Sequence, residues 1–229
     1  MGTSTSFRAP AEPRWQAFVV ALQQQLPLER VRSELFNAGQ EWEEALAARG
    51  VASFAVAIAQ AWEDLPNRIR QAERPEQALA TLAIEARAVS DLEEPTPALA
   101  LAERAFTALL SRTAAGKTSL AAQDSEAAAS EFISARGEPG QLVNSYVGEL
   151  LGQYTKHIAS REAGRLTEGG EGIRVGESRR LIRALAADAE GLSQNLPQVG
   201  ADPSEVGARW RELIRDAFTR GRALPEVEQ

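Results

Sequence analysis

Cysteine is absent from this 229-residue chain, which removes disulfides and thiolate metal sites together. His157 is the sole histidine, so no site can draw on two imidazoles, and a metal would need carboxylates for its other ligands. Neither a metal nor any other cofactor is expected. The chain is 44% hydrophobic, yet no run approaches the ~18 apolar residues of a membrane-spanning helix. No charged n-region with an apolar h-region opens it, so the expectation is a cytoplasmic protein with no export signal and no membrane partner. Strand patterning is missing too: no stretch alternates with period two while being rich in Val, Ile, Thr or aromatics.

Positive charge is scarce. The net charge of -7 argues against a surface that tracks phosphates, so direct nucleic-acid binding is not the expected main role. From Glu29 to Glu103 there are 14 acidic and 7 basic residues, whereas Arg161 to Arg222 holds 10 acidic and 11 basic, so an anionic partner would meet the C-terminal third. The lysines are Lys117 and Lys156 alone; almost all cation is guanidinium, suited to bidentate pairing with carboxylate or phosphate.

What is present is helical periodicity. Trp15, Phe18, Val19 and Leu22 make one apolar stripe from about Arg14. Leu28, Val31 and Leu35 resume after Pro27, and Asn37-Ala38-Gly39 offers a stop before Trp42 and Leu46, giving one interrupted helix or two short ones. Val51, Phe54, Ala55, Ile58, Trp62 and Leu65 form the most regular stripe of the N-terminal half, expected to end at Pro66. Leu79, Leu82, Ala86 and Val89 follow Pro75. Thr96-Pro97 announces a helix carrying Leu99, Ala102, Phe106, Leu109 and Leu110. An Ala-rich segment, Ser119 to Ala135, precedes a turn at 137–140.

The longest pattern, Gln141 to Arg165, presents Val143, Val147, Leu150, Tyr154 and Ile158 and is expected to be the central helix. Leu166 to Glu177 holds four glycines and reads as a mobile loop. Beyond it, Leu181, Leu185 and Leu192 mark one helix, and Val206, Trp210, Leu213, Ile214 and Ala217 another, with Asp202 as N-cap and Glu205 placed to return a hydrogen bond. About fifty residues in two helices cannot sustain a core of their own, so this hairpin must dock on the rest. The expectation is an all-α single domain of eight to ten helices: an extended arm over 1–13, a body over 14–165, a Gly-rich loop over 166–177 and a docked hairpin over 178–229.

Few constellations point to chemistry. Ala114-Ala115-Gly116-Lys117-Thr118 has the lysine of a phosphate-binding loop, but Ser111 stands where its first glycine belongs and an amphipathic helix precedes it instead of a strand. The glycines at 170, 172 and 176 lack the strand and spacing of a dinucleotide fingerprint. No Gly-x-Ser-x-Gly elbow is present. Tyr154 and His157 share a helix face three residues apart, so they read either as an acid–base pair in a groove or as a core tyrosine beside a boundary histidine. Arg174, Arg179, Arg180 and Arg183 form a candidate anion patch at a helix start, partly neutralised by Glu171 and Glu177.

The leader Met1-Gly2-Thr3-Ser4-Thr5-Ser6-Phe7 departs from all this. It has no apolar period, and Pro10 and Pro13 separate it from the first helix. Glycine after the initiator methionine favours removal of Met1, leaving an open α-amine on Gly2. Met-Gly-x-x-x-Ser fits the myristoylation motif formally, but no basic patch follows to supply a second membrane signal. These seven residues, then a proline-bearing segment and a helical body, resemble the B subunits (QatB) of Qat anti-phage defence systems. Members of that family open with Met-Gly-Thr-Ser, an aromatic and a glycine-rich run; here Arg8-Ala9-Pro10-Ala11-Glu12-Pro13 replaces the glycines.

The resemblance implies a non-enzymatic subunit whose partners are an ATPase, a QueC-like enzyme of deazapurine chemistry and a TatD-like nuclease. It also implies that the arm, Gly2, Thr3, Ser4, Thr5, Ser6 and Phe7, reaches the QueC-like partner with Gly2 as the site of modification. The other readings are a regulatory or nucleic-acid-associated helical protein using the arginine patch, and an enzyme built around Tyr154 and His157.

Overall fold

Twenty-nine residues of one helix, Pro139–Thr167, form the axis on which most of the others lie. At 1.5 Å per residue it is about 44 Å long. The computed structural model describes residues 13–90, 96–115, 125–135, 138–167, 175–200 and 202–224. In chain order they form α1 (Pro13–Gln23), α2 (Leu28–Ala38), α3 (Gln40–Leu46), α4 (Arg49–Ala61), α5 (Leu65–Gln71), α6 (Pro75–Ser90), α7 (Pro97–Ala115), α8 (Ser125–Ala135), α9 (Pro139–Thr167), α10 (Val175–Gly191), a 3-10 turn at Leu192–Asn195 and α11 (Pro203–Arg222). The fold is all-α, with no strand among the described residues.

Among the described residues there are eleven α-helices where eight to ten were expected: the segment after Pro27 takes the alternative of two short helices, and a further stripe is cut in two. Gly39 separates α2 from α3. The stripe that reads as ending at Pro66 breaks earlier, at Trp62 to Asp64, and Pro66 lies in the first turn of α5, where a missing N–H costs nothing. Leu65, Pro66 and Ile69 are buried there. At the next junctions α9 starts at Pro139, inside the expected turn, and both α9 and α10 extend into the expected loop, at 166–167 and 175–177. Two caps match the sequence. Thr96 Oγ1 accepts from the Leu99 N–H at 3.2 Å, and Asp202 accepts from the Ser204 N–H at 2.8 Å. Glu205 pairs with Arg209 at 3.4 Å instead of completing a capping box.

The expected face of α9 is buried, and so are Tyr146, Leu151, Thr155 and Ala159. A helix enclosed on nearly all sides must pack against several partners. α1, α4, α7, α10 and α11 all touch it. Gly148 and Gly152 let α10 come close: a side chain on Gly148 would run into the Glu190 carbonyl and Ser193, and one on Gly152 into the Glu190 side chain. The core is one cluster that joins Phe18, Phe36, Phe54 and Phe106 to Tyr146, Tyr154, Trp210 and Phe218, so the two C-terminal helices share the core of the body.

Polar ties lock the same junction. Trp210 Nε1 donates to the Leu46 carbonyl at 2.9 Å. Arg222 pairs with Glu43 and donates to the Phe36 carbonyl at 3.3 Å. Ser33 Oγ donates to the Arg222 carbonyl at 2.8 Å. Each buried group is thereby satisfied by a partner from the other end of the chain, which a merely apolar contact would not specify.

Candidate functional site

Gly2, Thr3, Ser4, Thr5, Ser6 and Phe7 lie outside the described residues, as does Arg174. What is visible is where the arm joins the body. α1 begins at Pro13 and is seated by Trp15, Phe18, Ala21 and Leu22, all buried, against α2 and α9. The edge of Trp15 meets Phe18 with ring centroids 6.3 Å apart.

Of the arginine patch, Arg179, Arg180 and Arg183 are exposed on α10, and none takes part in an ion pair among the described residues. Because α10 begins at Val175, they stand beyond its first turn.

Tyr154 and His157 do not form an acid–base pair. Tyr154 is fully enclosed, its ring packed on Phe36, Trp42 and Phe218 with centroids 5.6 to 5.7 Å away, and its hydroxyl donates to the Leu35 carbonyl at 3.4 Å. Burial pushes its pKa up, so the phenol stays protonated and out of reach of substrate. His157 sits at the boundary, with the Trp42 ring 5.5 Å away. The sequence alternative of a core tyrosine beside a boundary histidine is the one realised.

His157 has different company. It lines a surface pocket of about 350 Å³ with Leu101 and Arg104 of α7 and Gln153, Lys156, Ser160 and Arg161 of α9. The α9 residues follow the three-and-four spacing of one helix face. α7 runs antiparallel to α9, with Arg112 paired to the buried Glu149 at one end and Arg104 beside His157 at the other. The pocket thus gathers two guanidiniums, an ammonium and an imidazole, and no carboxylate lines it among the described residues. Glu190 of α10 approaches Lys156 from outside at 3.5 Å. The His157 pKa is held below its ordinary value, first by burial and then by the positive charges of Arg161 and Arg104. Burial is the larger cause, and the smaller share from Arg161 and Arg104 shows that both guanidiniums lie close enough to act on the ring.

Sequence reasoning missed this pocket. The α9 half could have been found, since Lys156 and Arg161 flank His157 on one polar face; Arg104 comes from a helix some fifty residues earlier, and only packing brings it there. A second concavity, of about 530 Å³, is lined by Glu43, Glu44, Arg211 and Arg215 among others; its charges oppose one another and favour neither sign of ligand.

Among the described residues no group of three or more acidic, His or Cys side chains could hold a metal, and no helix is long and apolar enough to cross a membrane. No protein-family model matches the chain, and no curated protein or solved structure matches it.

Proposed function

We propose that this chain is a non-enzymatic helical subunit of a Qat-type anti-phage assembly, holding partner proteins and presenting its N-terminal arm to a QueC-like enzyme. The observation that carries this reading is the seating of α1. Trp15, Phe18 and Leu22 bury α1 in the same core that receives α9, so the first described helix is a fixed part of the body on which a partner would dock. The leader Met1 to Phe7 supplies the resemblance, and the enclosure of Tyr154 removes the rival catalytic pair.

The chemistry falls to Gly2. With Met1 removed, its α-amine has a pKa near ~8, against ~10.4 for a lysine, and is far more often neutral at pH 7. QueC-like enzymes activate a deazapurine carboxylate and join it to ammonia. With a protein amine in place of ammonia, the Gly2 nitrogen attacks the activated carbonyl carbon. The activating group leaves, the amine loses a proton to solvent, and an amide remains. Glycine adds no side chain to obstruct a narrow pocket.

Intact-mass analysis after co-expression with a Qat-type QueC-like enzyme should show loss of Met1 and an added mass on Gly2, abolished by Gly2→Val. An unmodified Gly2 in the presence of that enzyme and its substrate overturns the modification; failure of the two proteins to co-purify overturns the subunit reading as well. The second reading, a nucleic-acid-associated protein, is favoured by the exposure of Arg179, Arg180 and Arg183. It requires binding that weakens steeply with salt and is lost on Arg179→Glu with Arg180→Glu.

A further inference from the structure

The geometry points to a binding site for a small phosphate-bearing anion between α7 and α9, held by Arg104, Lys156, His157 and Arg161. Three observations meet there. The first is charge: cationic side chains from two helices converge on one concavity in a protein whose net charge is -7. Glu190 meets Lys156 from outside the lining, so within the concavity itself an anion faces cations from both helices. The second is donor geometry. Arginine offers a planar fork, lysine a point charge, and Gln153 and Ser160 add neutral donors on the same rim, a set that matches the several oxygens of a phosphate better than a single carboxylate.

The third is order. Trp42 of α3 lies against the His157 ring at 5.5 Å, and Lys156 is steadied by Glu190 at 3.5 Å, so two of the donors are already oriented before a ligand arrives. The volume of about 350 Å³ is near the lower end of the ~300 to 1,000 Å³ spanned by small-molecule sites. It suits a phosphate with a small body attached. A long nucleic acid would need a basic stripe continuing beyond the pocket, and Glu190 lies just outside it, against Lys156.

Because His157 is the sole histidine of the chain, its ring carbon and nitrogen resonances report this pocket without assignment. The full-length protein, isotopically labelled in histidine, is titrated at fixed pH with inorganic phosphate, with adenosine monophosphate, with a short single-stranded oligonucleotide, and with sodium chloride at matched ionic strength. Saturable displacement of the His157 signals by phosphate or the monophosphate, absent with chloride, is the expected result. In Arg104→Gln with Lys156→Gln the apparent affinity should fall by about tenfold or more, while near-ultraviolet circular dichroism is unchanged. Arg104→Gln alone, at an exposed position, replaces the pair if the double variant does not fold. The site is overturned by shifts that match chloride, by shifts that persist undiminished in the variants, or by a response confined to a single-stranded oligonucleotide, which would mark a nucleic-acid surface.

Discussion

The hydroxyl of Tyr154 fills the space in which a side chain on Gly39 would begin. Gly39 ends α2 with φ −86°, a backbone any residue can adopt, so its glycine is required by the close approach and not by its torsion. The Gly39 N–H and the Tyr154 hydroxyl both donate to the Leu35 carbonyl, at 3.0 and 3.4 Å. Alanine at 39 must displace a fully buried ring that also packs on Phe36 and Phe218. Gly39→Ala should cost about 1 to 3 kcal/mol in urea denaturation. Gly207→Ala is the contrast: inside α11, its new methyl would meet only Val56 at 3.5 Å, and a gain of about 0.5 to 1 kcal/mol is expected. Equal effects at the two positions would refute the placement of Tyr154.

Arg32 makes a second, polar junction. Its Nη1 donates to both carboxylate oxygens of Asp188 at 3.1 and 2.9 Å, Nε to the Gly221 carbonyl at 3.3 Å and Nη2 to the Ala223 carbonyl at 3.2 Å. The Arg32 side chain is 11% exposed and Asp188 28%, so solvent screens the pair only in part. Arg32→Gln should lose about 1 to 3 kcal/mol. Lysine at 32 should recover little of it, because a single ammonium cannot serve three acceptors in different directions. Combining Arg32→Gln with Asp188→Asn should cost less than the two losses added together, the mark of a direct partnership.

Both tyrosines are sealed in the core, and burial raises both pKa values. The neutral phenol is favoured by the fold, so the stability this provides is complete below the unfolded pKa of ~10 and declines as pH rises above it. Alkaline titration followed by tyrosinate absorbance should show little ionisation while the near-ultraviolet dichroism stays native. Tyrosinate should then appear in step with unfolding. Smooth ionisation of either ring in the native state near pH 10 would mean that Tyr146 or Tyr154 reaches solvent.

Much of the fold could be read from residue spacing, and the failures have physical causes. Thr96 and Asp202 cap helices as their side chains suggest, since a cap is a local bond between near neighbours. Pro66 reads as an end and is instead a start, because the residue that cannot continue one helix is well suited to begin another. Tyr146 escaped the stripe of α9 because a helix surrounded by partners shows no single apolar side. For the basic pocket, the Lys156 and Arg161 spacing was in view, whereas Arg104 depends on how α7 lies along α9. The fate of Gly2 was open from sequence and concerns residues beyond the described helices.

The position of α9 also bears on the order of events during synthesis. Phe36 and Trp42 find their ring partner in Tyr154, and Phe106 finds one in Tyr146. All three are translated before α9, and Trp210, which stacks on Tyr146, comes about seventy residues after α9 begins. A nascent chain halted before Pro139 therefore carries eight of the described helices, in which Phe54 can meet Phe106 but Phe36, Trp42 and the far edge of Phe106 still lack their α9 partners. Apolar surface left open in this way is what exposes incomplete chains to association with one another. The native aromatic core has all its members only once α9 and then α11 have been made, because both tyrosines lie on α9 and Trp210 and Phe218 on α11.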